Sequence, residues 1–178
     1  MKAHQPFGDY FTLFKLPRRY AIDLAELESA YRDVQAKIHP DRFAHLPENE
    51  RRVSMQWASH ANEGYRTLRR SIPRARYLLE LAGHDPEIES NTTMPGDFLM
   101  QQMMLREAVE EARESGDADA LDAQLREIRT EARVLEEALA EAYDERRDYA
   151  AMALAVRQLM FLERLQEEIR GALEALET

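Results

Sequence analysis

His39, Pro40 and Asp41 set an imidazole, a ring-locked backbone and a carboxylate at three consecutive positions. Proline fixes its own φ and has no N–H to donate, so a turn built on it is stiff and loses little conformational entropy on docking. The aspartate can take a bidentate bond from a partner's arginine. The bare tripeptide is a weak signal, but Tyr31-Arg32 and Lys37-Ile38 precede it, Arg42-Phe43 follow, and Asn62-Glu63-Gly64-Tyr65 stand beyond. Catalytic readings find less support. The histidines (His4, His39, His45, His60, His84) all precede residue 96, which leaves no Glu-x-x-His pairs in the helical patterns beyond it for a di-iron site. Asp117, Asp119 and Asp122 hint at a calcium loop, yet its sixth position is not Gly and its twelfth would be Ile128. His39 with His45 is a nonspecific metal pair, and no glycine-rich phosphate loop occurs. With Cys at 0, there is no disulfide, thiolate metal site or Cys nucleophile. The expectation is a binding protein, not an enzyme, with no cofactor and no metal.

The elements that must position this turn are helical. The chain has 178 residues, enough for one domain or two small ones, and is rich in Ala, Leu, Glu and Arg with 6 Gly. Asp23 and Glu26 form a capping box, after which Leu27, Tyr31, Val34 and Ile38 recur on one helical face. Pro40 ends that helix near Ile38. Trp57, Ala61, Tyr65 and Leu68 mark a second long helix, and Ser71-Ile72-Pro73 opens a short one that stops at Gly83. An aromatic segment, Tyr10 to Leu16, packs on these. His84 to Pro95 reads as a linker. Three amphipathic patterns follow: Gly96 to Glu114, then Leu121 to Leu139, then Met152 to Leu176. Their short connections predict an antiparallel three-helix bundle.

Charge divides along the same boundary. Residues 1–82 hold 14 basic and 10 acidic side chains, a balance of +4, and residues 83–178 hold 10 and 24, a balance of −14. The acidic half would repel phosphates, so no nucleic-acid partner is expected. No apolar run approaches a membrane span, and the start lacks a signal-like stretch, so the expected location is the cytoplasm.

On the first helix of the expected bundle, stepping about 100° per residue separates two apolar stripes. Phe98, Leu105, Val109 and Ala112 group together as core. Leu99, Met100, Met103 and Met104 fall on the other side, around Glu107 and flanked by Glu110 and Glu111. Flexible Met side chains rimmed by carboxylates suit a surface that holds a partner. The alternative is an unusually wide core face. Phe161, on the third helix, tends to point away from the end of the core marked by Met152, although nearby Leu165 weakens that assignment.

Tyr31-Arg32, His39-Pro40-Asp41-Arg42-Phe43 and Asn62-Glu63-Gly64-Tyr65-Arg66-Thr67-Leu68 together resemble a J-domain. Asp9-Tyr10-Phe11-Thr12-Leu13-Phe14 and Arg74-Ala75-Arg76-Tyr77-Leu78-Leu79 narrow the resemblance to the HscB family, the J-type co-chaperones of iron–sulfur cluster assembly. It runs from about Asp9 to the C-terminus, and residues 1–8 receive no function. It implies an all-α, L-shaped molecule: a J-domain over residues 9–82, a linker over 83–95, and a client-binding three-helix bundle over 96–178. It also implies delivery of an IscU-type scaffold protein to an HscA-type chaperone and stimulation of that chaperone's ATPase. His39, Pro40 and Asp41 would carry the stimulation, with Arg32 and Lys37 adding attraction, unless these two are simply solvated charges. Leu99, Met100, Met103, Glu107, Glu111 and Phe161 would contact the scaffold. Met104 departs from the family pattern, where glutamate is common, so one charged contact is missing or replaced by apolar burial. A general J-protein whose bundle binds unfolded chains is the rival reading.

Overall fold

The computed structural model describes residues 8–38, 45, 47–84 and 93–176, and among them there is no strand. The chain divides into two compact units, Met1–Ala82 and Gly83–Thr178.

Among the described residues, the first unit holds four helices. Asp9 caps α1 (Tyr10–Leu13), its carboxylate accepting from the Thr12 N–H at 2.9 Å and pairing with Arg18. Partial burial works to raise the Asp9 pKa, but the Thr12 and Arg18 contacts outweigh it and hold the carboxyl below its ordinary value. Lys15 then takes a left-handed conformation, φ 57°, and turns the chain. Asp23 caps α2 (Leu24–Ile38) by accepting from the N–H groups of Ala25 and Glu26 at 2.8 and 3.3 Å. The first half of the expected capping box is thus in place. α2 lies along α3 (Glu48–Arg69). Tyr31 meets Asn62 and Tyr65, while Ile38 meets Ser54, so the two helices run antiparallel.

Gly64 explains how α1 joins this pair. A Cβ there would stand 2.7 Å from Tyr10 Cδ1 and 3.2 Å from Phe14 Cε2, so the missing side chain is what lets the aromatic rings lie on α3. α4 (Ser71–Leu81) closes the unit. Its Tyr77 hydroxyl accepts from the buried Tyr10 N–H at 3.1 Å and its ring stacks on Tyr10 at 4.5 Å. Burial pushes the Tyr77 pKa up to about 12, which keeps the hydroxyl neutral. Arg74, itself buried, donates to the Leu68 carbonyl at 2.6 Å and lies over the Tyr20 ring at 4.7 Å. The Arg74 to Leu79 segment of the sequence therefore contributes a lock on the front of the unit.

The second unit is built from α5 (Gly96–Ser115), α6 (Ala118–Ala140) and α7 (Tyr149–Leu176). Gly116, at φ 68°, ends α5, and Asp117 caps α6 through the Ala120 N–H at 2.9 Å. The core joins Leu105, Val109 and Ala112 of α5 to Leu121, Leu125 and Ile128 of α6 and to Leu162, Leu165, Ile169 and Ala172 of α7. Each fully buried Leu or Ile there contributes roughly 1.5–3 kcal/mol. Two features depart from expectation. Leu176 is 42% exposed, so the buried stripe of α7 stops short of it. The joint between α6 and α7 is not a plain loop but a π-helical turn, Glu141–Arg146, released by Arg147 at φ 55°. The Arg147 guanidinium lies 4.6 Å over Tyr143, and Asp148 then caps α7 through the Ala151 N–H.

Among the described residues, no helix is long and apolar enough to cross a membrane.

Candidate partner-binding sites

His39, Pro40 and Asp41 lie outside the described residues, as do Arg42 and Phe43; what the structure describes is the helices on either side, α2 and α3. α2 ends at Ile38, whose carbonyl accepts from the hydroxyl of buried Ser54 on α3 at 3.0 Å. Two turns back, the Tyr31 hydroxyl donates to Asn62 Oδ1 at 2.7 Å and accepts from Gln35 Nε2 at 2.6 Å, while its ring stacks on Tyr65 at 4.2 Å. The motif residues Tyr31, Asn62, Gly64 and Tyr65 are each a latch or a spacer between helices. They set the separation and register of α2 and α3.

Arg32 and Lys37 are both exposed on α2, off its buried face. Arg32 pairs with Glu28 one turn back. Lys37 stands in the last turn, where a cation suits the unpaired carbonyls. It also edges an open groove of about 590 Å³ lined by Val34, Ile38, Val53 and Trp57. Val34, Ile38 and Trp57, read from the sequence as helix-face positions, are therefore only half-buried.

The two stripes of α5 separate in space as their spacing requires. Phe98, Leu105, Val109 and Ala112 are buried, whereas Leu99 is 45%, Met100 67%, Met103 65% and Met104 67% exposed. The alternative of a wide core face is excluded. Glu107 and Glu111 follow one and two turns further along the same exposed side. Phe161 does not point freely outward: it is half-buried, edge-on to Phe98 at 6.1 Å and 78°, with Arg106 lying 5.3 Å over its ring. Arg106 also reaches Glu168 at 3.5 Å. Because Leu99, Met103 and Arg106 share one line of α5, Phe161 is brought to the edge of the exposed stripe from α7.

One residue of this helix went unnoticed in the sequence. Gln102 is 2% exposed, and its amide donates to both oxygens of Glu131 on α6 at 3.4 and 3.5 Å, leaving Gln102 Oε1 without a partner. Burial raises the Glu131 pKa; the Gln102 bond opposes the rise and nearby Glu127 adds to it. The signal was present: positions 98, 102, 105, 109 and 112 keep the 4-and-3 core spacing, with an amide at the second. Among the described residues, no three of His, Asp and Glu converge as a metal-binding group.

Against known proteins, the chain is 55% identical over 170 residues to the co-chaperone protein HscB homolog of Aromatoleum aromaticum, covering 96% of each. This chain belongs to the HscB co-chaperone family. The HscB homolog of an Azoarcus strain is 54% identical over 169 residues, covering 95% of this chain and 96% of that one. A family model described as the HSCB C-terminal oligomerisation domain matches residues 94–170. Among solved structures, the chaperone HscB from Vibrio cholerae superposes with a TM-score of 0.82 at 32% identity, covering 95% of this chain and 99% of that one. The human co-chaperone HscB gives 0.85 at 24% identity, covering 96% and 84%, a likeness of fold. The resemblance carried by the HscB-type motifs is thereby established, and the all-α fold with it. The protein is an HscB-type co-chaperone.

Proposed function

We propose that this HscB co-chaperone serves iron–sulfur cluster assembly by binding an IscU-type scaffold protein, delivering it to an HscA-type chaperone and stimulating that chaperone's ATPase, without turning over a substrate itself. Residues 9–82 act as the J-domain, 83–95 as a linker and 96–178 as the client-binding bundle. The observation that carries the reading is the exposed run of Leu99, Met100 and Met103 beside Glu107 and Glu111, on a helix whose opposite face already fills the core. An apolar centre supplies affinity, and surrounding carboxylates steer basic partners and reject acidic ones. Phe161 at the edge adds a rigid aromatic contact. His39, Pro40 and Asp41, with Arg32 and Lys37, act on the chaperone.

The test is ATPase of an HscA-type chaperone titrated with this chain, with and without the scaffold. His39→Gln is expected to abolish stimulation while scaffold binding survives. Leu99→Ala with Met103→Ala and Phe161→Ala is expected to weaken scaffold binding and leave scaffold-free stimulation intact, with thermal melting to verify the bundle. Saturable binding to one folded scaffold supports the reading, and equal binding to many denatured proteins favours the general J-protein instead.

A further inference from the structure

The exposed methionines of α5 border a second feature. Where α5 lies against α6, an open groove of about 430 Å³ runs between them, walled by Met100, Met104 and Ala108 and edged by Asp97 from α5 and by Gln124 and Glu127 from α6. The carboxamide oxygen of Gln124 is buried and has no hydrogen-bond partner. Asp97 spends one oxygen on the Phe98 N–H at 2.9 Å, and among the described residues no cation pairs with Asp97 or Glu127. The groove thus combines flexible apolar walls with acceptors that are unpaired, as at Gln124 Oε1, or only partly used, as at Asp97. An apolar visitor would remove the acceptors from water and supply nothing in return. A second bundle would bring −14 against −14. A long side chain with an aliphatic stem and a planar cationic head meets both demands.

We propose that this groove takes an arginine side chain of the scaffold protein, its stem against Met100 and Met104 and its guanidinium on Gln124 Oε1, Glu127 and Asp97. The inference rests on the scaffold-binding reading and extends it to α6, which that reading does not use. It also gives Met104 a purpose: its thioether walls the groove, and the charge is supplied by Glu127.

The test is calorimetric titration of an IscU-type scaffold into the full-length chain at low salt, with circular-dichroism melting of each variant. Glu127→Lys is expected to weaken binding about tenfold or more. Glu137→Lys, an exposed position further along α6 with the same change in net charge, is expected to alter it less than about twofold. Changing the contacting scaffold arginine to glutamate should weaken binding to the wild-type chain and restore it to Glu127→Lys. If the wild-type chain does not bind, the functional reading falls and this inference with it. If binding is lost on Leu99→Ala with Met103→Ala but is unmoved by Glu127→Lys, the groove alone is overturned. Equal losses from Glu127→Lys and Glu137→Lys would reduce the effect to overall charge and overturn it. So would a self-association that Glu127→Lys abolishes, which would give the groove to a second copy.

Discussion

Gln102 and Glu131 form a polar contact at the margin of the bundle core that is only half satisfied. The Gln102 amide donates to both Glu131 oxygens, but its own oxygen finds no donor, because a carboxylate has none to offer. Glutamine at position 131 could accept the existing bond and return one to Gln102 Oε1. Glu131→Gln is therefore expected to stabilise the second unit by about 1 kcal/mol at neutral pH, seen as a rise in Tm of about 4 °C or more. The pH dependence has a definite sign. Burial, only partly opposed by the Gln102 bond, sets the folded Glu131 pKa above its ordinary 4.5. Its protonated form then favours folding; that contribution is full below 4.5 and lost as pH rises through the folded value. The advantage of Glu131→Gln should shrink as the medium is acidified toward pH 4.5, measured by parallel melts. An advantage that grew on acidification would contradict this account.

Among the elements, α2 and α3 show how two antiparallel helices are tied to one another near the end of α2. The ties run from Ser54 to Ile38 and from Tyr31 to Asn62 and Tyr65. Ser54→Ala would leave the Ile38 carbonyl unpaired, at about 1 kcal/mol. The expected result is weaker chaperone stimulation with unchanged helical content by circular dichroism. Gly64 tests the same frame from the other side. Alanine there gains about 1 kcal/mol of helix propensity. It also drives a methyl to 2.7 Å from the buried Tyr10 ring, an overpacking that costs about 1–3 kcal/mol. The net expectation for Gly64→Ala is a lower Tm of the first unit and loosened α1 packing, visible in near-ultraviolet circular dichroism. α5 presents the complementary design: one face belongs to the core, and the other keeps its methionines in solvent.

For the whole molecule, the division of charge follows the division into units, mildly basic before residue 83 and strongly acidic after it. If one unit addresses the ATPase and the other holds its client, covalent linkage makes the second encounter intramolecular and raises its effective concentration. A mixture of His39→Gln chains with chains carrying Leu99→Ala, Met103→Ala and Phe161→Ala is then expected not to restore scaffold-enhanced ATPase. Each chain would retain one activity, but neither would couple them. Recovery to the wild-type level in the mixture would show that the linkage is dispensable. Scaffold binding should also weaken as salt is raised from about 0.05 to 0.5 M, because screening shortens the reach of the acidic bundle.

Much of this was already determined by residue order. The periodicity of Leu121, Leu125, Ile128 and Leu139, the cap at Asp23 and the break at Gly116 dictate helices through local hydrogen bonding and apolar spacing, interactions that span a few residues. The two stripes of α5 were legible for the same reason, since 100° per residue holds wherever the helix is placed. Tertiary packing decided what depends on neighbours distant in the chain. It placed Phe161 against Phe98 across α5 and α7, left Gln102 facing Glu131, made Gly64 the seat of Tyr10, and ended the buried stripe of α7 before Leu176. It also admitted a left-handed Arg147, a conformation local preference alone disfavours for a residue with a Cβ, in the joint where its guanidinium rests on Tyr143.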